Sequence, residues 1–179
     1  MKAGKLGRVG QFLRAVRAKV KPEELDWVRS RLPEKAWPLF LGMHTADQRH
    51  VLNVARTALD LAEQEPAADK ALLTRCALLH DVGRRRGTLD IWGKVWAVLA
   101  EKYLPAGVRR RLRCSQARFL LDKPGYALYI YKEHPRLGAE MLRAIGLNEE
   151  AAIIVRHHEP YVPGEHVELT LLRQADEMN

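Results

Sequence analysis

Residues 70–82 read Lys-Ala-Leu-Leu-Thr-Arg-Cys-Ala-Leu-Leu-His-Asp-Val. The stretch is too long for an ordinary strand and shows no alternation of apolar and polar residues, so it predicts a helix, with Gly83 as its stop. Leu72, Leu73, Ala77, Leu78 and Leu79 spread apolar side chains around most of the helix circumference. A helix apolar on so many faces belongs at the centre of a domain, enclosed by other elements. At its end stand His80 and Asp81, where the pattern calls for core. A buried carboxylate needs a cation or several hydrogen-bond donors. A divalent ion would meet that need, and so would a hydrogen-bonded His-Asp pair at a helix end.

Outward from this segment the same periodicity continues, with apolar residues three and four apart, and the fold class it predicts is all-α. Further helices are expected over 7–19, 22–31, 46–63, 89–104, 107–119, 135–144, 149–157 and 168–177. Pro22 followed by Glu23 and Glu24 is a favourable helix opening, because proline fits the first turn and acids suit the positive end of the dipole. No repeat or linker divides the chain, so residues 1–179 are expected to form one domain. Within it, 1–35 reads as an N-terminal helical extension and 84–133 as a basic, aromatic-containing helical insertion.

A chain of 179 residues can bury a core without disulfides or a structural metal. Cys76 and Cys114, the two cysteines, form no CxxC pair, so neither a disulfide framework nor a thiolate zinc site is indicated. The first residues carry Lys2, Lys5 and Arg8 without an apolar leader, and no apolar run reaches the ~18 residues of a membrane span, so a cytoplasmic protein without a transmembrane segment is expected. The formal charge is +8, and residues 84–118 hold ten Lys or Arg against two acids. This block is either a solvated basic face or a surface for an anionic partner such as a nucleotide, nucleic acid or acidic membrane. Trp92, Trp96, Tyr103, Tyr126, Tyr129 and Tyr131 interleave with it, which suits either a base-stacking lid over a site or a plain core or interfacial face formed by Ile91, Trp92, Val95, Trp96, Leu99 and Leu104.

Five of the seven histidines occupy ligand-like settings. His50 lies on the polar face of an amphipathic segment, and His80 precedes Asp81. His134 precedes Pro135 at an expected helix start, and His157-His158 ends another helix. Asp176 falls on the inward side of the last one. His44 and His166 fit no such segment and read as surface residues.

The ordered set His50, His80-Asp81 and Asp176 resembles the HD superfamily of metal-dependent phosphohydrolases. The segments LLHDVG at 78–83, HPRLGAEML at 134–142 and HHE at 157–159 are similar to those of its two-metal branches. The resemblance implies a helical bundle with the metal site between helices. It implies a first ion on His50, His80, Asp81 and Asp176, with Asp81 bridging to a second ion held by His134 and by His157 or His158. Mixed nitrogen and oxygen donors suit one or two divalent ions, with Fe, Mn, Co or Ni favoured and Mg possible. Asp81 and His80 would be the catalytic pair, and a metal-bound hydroxide would attack a phosphomonoester or phosphodiester of a nucleotide-like substrate. Arg84 and His158 would contact substrate phosphate, unless Arg84 is only a surface member of the run Arg84-Arg85-Arg86. The chain departs from the cyclic-dinucleotide branch, with Arg84 at the position of a lysine and Pro160-Tyr161-Val162-Pro163-Gly164 in place of a Gly-Tyr-Pro motif. Ala46 replaces the glutamate of the three-metal variant, so two ions or fewer are expected. The alternative is a binding or signalling module whose basic block engages nucleic acid or anionic membrane.

Overall fold

The computed structural model describes residues 19–84, 91–116 and 122–179. The expected helix at 7–19 and the residues Arg85 and Arg86 lie outside them, apart from Lys19. Among the described residues every regular element is helical, as the periodicity predicts. The elements are α1 (Pro22–Arg29), a 3-10 turn (Glu34–Ala36), α2 (Trp37–Leu41), α3 (Thr45–Ala62), α4 (Lys70–Leu79), α5 (Ile91–Tyr103), α6 (Ala106–Leu112), α7 (Lys123–Ala144), α8 (Asn148–Val155) and α9 (Val167–Met178). None of these helices is long and apolar enough to cross a membrane.

The segment that opened the reading is the central helix. Asp69 caps α4, its carboxylate accepting from the amides of Ala71 at 2.8 Å and Leu72 at 3.0 Å. Leu72, Leu73, Cys76, Ala77, Leu78 and Leu79 are then buried on all sides, because α3, α8 and α9 pack around α4. Polar clamps hold these neighbours in register. Arg75 pairs with buried Glu150 of α8 at 2.5 Å, and Glu168 of α9 accepts from the amide of Asp69 at 2.8 Å. Gln48 of α3 donates to the carbonyls of Phe40, Leu41 and Met43, each at 3.2 Å, which fixes the turn that enters α3.

The structure departs from the sequence reading at several helix ends. The helix at 70–82 ends at Leu79, and Gly83 is not the left-handed stop; positive φ is confined to Gly146 and Gly164 among the described residues. Gly83 is needed for close approach instead, as a Cβ there would lie 2.1 Å from the carbonyl oxygen of His134. The helix expected to begin at Pro135 begins at Lys123 and runs through that proline. Pro124 occupies its first turn, where the missing N–H costs nothing, so Lys-Pro-Gly at 123–125 opens a helix rather than a loop. The helix expected over 107–119 ends at Leu112.

The inward face of α5 also differs. Ala97 and Ala100 pack with Ala127, Leu128 and Ile130 of α7 in a second small core, while Trp96 and Leu99 face outward, 37% and 47% exposed. Small side chains let the two helices approach closely, and the larger ones are displaced to the outer side. His44 is no idle surface residue, because its Nδ1 accepts from the amide of Ala46 at 3.3 Å and caps α3. His166 is exposed at the start of α9.

The basic block is partly consumed within the fold. Arg84 turns inward, Arg109 pairs with Glu101 at 3.0 Å, and Arg113 lies 3.8 Å from Glu133. Arg110 and Arg111 of α6 remain exposed.

Candidate metal centre

Four segments separated in sequence bring five imidazoles into one continuous arc. The ring centroids of His50 and His80 are 5.5 Å apart, those of His80 and His157 5.0 Å, His157 and His158 4.6 Å, and His158 and His134 5.1 Å. His50 comes from the middle of α3, His80 and Asp81 from the turn after α4, His134 from α7, and His157-His158 from the turn after α8. Asp176 of α9 joins the His50 end and Asp81 lies at the His134 end. All seven residues expected at the site are therefore brought together.

At one end, Asp176 accepts from His50 Nε2 at 2.9 Å on Oδ1 and from His157 Nε2 at 3.0 Å on Oδ2. His80 Nε2 lies 3.9 Å from Asp176 Oδ1 and 3.8 Å from Asp81 Oδ1. His50, His80 and Asp176 each offer a donor atom within 4.8 Å of the others, a spacing that can hold one ion. At the other end, Asp81 Oδ2 accepts from Arg84 Nη1 at 2.7 Å, while His134 Nε2 is 3.4 Å from Oδ1. His157 and His158, adjacent in sequence, thus serve different ends: His157 meets Asp176, and His158 Nε2 lies 3.1 Å from His134 Nε2.

The backbone sets the tautomers. His80 Nδ1 donates to the carbonyl of Ala77 at 2.9 Å, which leaves Nε2 as the lone pair facing the arc. His134 reaches the same state by a less obvious route. Pro135 has no N–H, so the carbonyl of Tyr131, four residues back, loses its helical donor. His134 Nδ1 takes that place at 2.8 Å, and Nε2 is again turned to the site. A proline that would ordinarily disrupt a helix interior here supplies an acceptor that orients a functional imidazole.

Other residues position the site, and the sequence reading did not single them out. Arg173 of α9 donates to the carbonyls of His157 at 3.0 Å and Arg156 at 2.7 Å, and pairs with Glu165 at 2.5 Å, pinning the His157-His158 turn. The signal available in the sequence was Arg173 at an otherwise apolar stage of α9.

Burial and charge decide protonation along the arc. Full burial pushes His80 down to about 4 against the pull of Asp81. His134 is lowered by burial and by the Arg84 cation. His158 is exposed at the rim, yet desolvation of its inner edge, with His157, His134 and Arg84 beside it, pushes it down as well. His50 moves the other way: burial opposes its charge, but the Asp176 carboxylate and the Asp81 charge outweigh it and raise the pKa. Asp176 is lowered despite burial by His157 and His50, and Asp81 is held well below the carboxylate range despite burial by Arg84 and His80.

These shifts fix the sign of a pH dependence. His80, His134 and His158 exclude a proton in the fold that they accept near 6.5 when unfolded, so their contribution is lost as pH falls from about 6.5 toward 4. The two carboxylates lose theirs at lower pH still. His50 acts in the opposite sense, and its contribution is lost as pH rises through its raised value. With three groups against one, the metal-free protein is expected to melt at a lower temperature at about pH 4.5 than at about pH 7.5. A melting temperature that is flat or rises on acidification would show that the imidazoles are already protonated in the native state.

The residues fit a divalent ion on grounds internal to the fold. Asp81 Oδ1 is buried and receives no hydrogen bond, although it is an anionic oxygen facing imidazole nitrogens. Such an oxygen calls for a cation. No curated protein and no solved structure matches the chain. Residues 48–101, which carry His50, His80 and Asp81, match the family model described as HD domain, consistent with the HD-domain superfamily.

Proposed function

We propose that the protein is a metal-dependent phosphohydrolase that cleaves a phosphomonoester or phosphodiester bond of a nucleotide-like substrate. The observation that carries this reading is the buried Asp81 Oδ1 without a hydrogen bond, set among histidines whose Nε2 lone pairs are turned toward it.

His50, His80, Asp81 and Asp176 would hold the ion, and the mixed donors favour Fe, Mn, Co or Ni over Mg. A bound divalent ion supplies an activated water and neutralises charge on the phosphoryl oxygens. The chain's own residues do the rest. Asp81, kept ionised by Arg84, is a permanent anion at the centre. The His50 Nε2 proton now shared with Asp176 has to leave or shift to Nδ1 before that nitrogen can ligate. Arg84 presents a planar fork of the kind that pairs phosphate oxygens, and His158 stands beside it at the open rim. Cys76 offers no competing nucleophile, because burial raises its thiol well above the usual range. The net charge of +8 suits a polyanionic substrate.

The test is to strip the protein of metal, reload it separately with Mn²⁺, Fe²⁺, Co²⁺, Ni²⁺ and Mg²⁺, and assay each form against nucleoside mono- and polyphosphates and cyclic dinucleotides. Turnover is expected with at least one transition metal and is expected to vanish on chelation. No hydrolysis by metal-loaded protein across that whole matrix would overturn the reading.

A further inference from the structure

The guanidinium of Arg84 lies between Asp81 and His134, two of the residues that the resemblance assigns to a second ion. Its Nη1 lies 2.7 Å from Asp81 Oδ2 and its Nη2 lies 3.0 Å from His134 Nε2. The fork therefore spans a carboxylate oxygen and an imidazole lone pair, a donor set that would otherwise attract a divalent cation. His158 Nε2, 3.1 Å from His134 Nε2, completes that end of the arc. Arg84 is also well placed to stay there. It follows Asp81 by three residues in the same turn, its amide is bonded to the Asp81 carbonyl at 2.8 Å, and its side chain is largely buried.

We propose that Arg84 is a built-in cation that replaces the second metal, so that the chain binds a single exchangeable divalent ion at the His50, His80, Asp81 and Asp176 end. This rests on the metal-centre reading above and deepens it. A second ion cannot take His134 Nε2 while Arg84 stays, because the guanidinium is always charged and already occupies the single lone pair of that nitrogen. In this arrangement Arg84 supplies the fixed positive charge on that side of the phosphoryl group. It does so with directional N–H donors rather than an open coordination sphere. The substrate then meets one ion and one guanidinium, which makes Arg84 a specificity-determining residue.

The experiment counts ions. The full chain and the variants R84M, R84Q, R84K and R84M/H134A are stripped of metal, loaded with Mn²⁺ near pH 7.5, freed of excess ion and measured by elemental analysis, with folding checked by circular dichroism. The wild type and R84K are expected to retain one Mn²⁺ per chain. R84M and R84Q are expected to retain two, with the exchange-coupled paramagnetic signal of a neighbouring pair. The double variant is expected to return to one. Two ions in the wild type would overturn the inference and leave the phosphohydrolase reading intact, and that result depends on no variant. One ion in folded R84M and R84Q would overturn it equally. A folded wild type that holds no ion would remove the metal-centre reading and the inference together.

Discussion

Asp81→Asn is expected to empty the metal centre and to lower hydrolysis by at least about 10³-fold, on the order of 4 kcal/mol of barrier. The amide has the shape of the carboxylate, so the turn after α4 keeps its packing, but the buried anion is gone. Asp81 stands between both ends of the arc, 3.8 Å from His80 Nε2 and 3.4 Å from His134 Nε2 through Oδ1, and 2.7 Å from Arg84 through Oδ2. Without its charge, Arg84 becomes a buried cation that has lost its anionic partner, and a divalent ion would face imidazoles and Asp176 alone. Elemental analysis of the purified variant, with circular dichroism to establish folding, reads the effect directly. Folded Asp81→Asn with the metal content of the wild type would show that the ion does not sit on Asp81.

The second large effect lies two residues away and involves no charge. Gly83→Ala is expected to lower the melting temperature by about 6–12 °C, corresponding to about 3 kcal/mol for a chain of this size. The added Cβ would stand 2.1 Å from the carbonyl oxygen of His134 and 2.8 Å from its carbonyl carbon. Both are backbone atoms of a helix, so neither can swing aside as a side chain would. The turn that carries His80 and Asp81 must then separate from α7, and His134 moves away from Asp81 with it. Loss of metal affinity is expected to accompany loss of stability for that reason. Gly138→Ala serves as the comparison. Its Cβ would meet Gly83 N and Val82 Cγ2 at 3.3 Å, a tight contact that a small shift relieves, and a cost of about 1 kcal/mol is expected. A Gly83→Ala protein that melts within about 2 °C of the wild type would show that the turn can slide on α7 without penalty.

The convergence of His50, His80, Asp81, His134, His157, His158 and Asp176 was implied by the resemblance of their ordered segments to the HD superfamily, while the all-helical class and the central place of α4 could be read from spacing. Local rules suffice there, because a helix with apolar residues on nearly every face has to be enclosed, and polar groups at its end have to find partners. The status of Pro135 could not be read in the same way. Taken alone it marks a helix start, and only the donor supplied by His134 to the Tyr131 carbonyl makes an unbroken α7 tolerable. Gly83 was visible as a glycine after a helix, but its reason is the backbone of α7, fifty residues further along the chain.

What the sequence determined by itself was the set of side chains and the helices that carry them, because periodicity and the cost of burying charge are local properties. What only the tertiary structure decided was their division: His157 against Asp176, His158 against His134, and Arg84 turned from a basic run into the core to neutralise Asp81. Adjacent residues such as His157 and His158 have the same sequence context, and the direction each ring takes is set by the helices it meets across the site. The choice between an exposed and a buried Arg84 likewise depends on an anion whose burial comes from packing, since a carboxylate at a solvated helix end would exert far less hold on it.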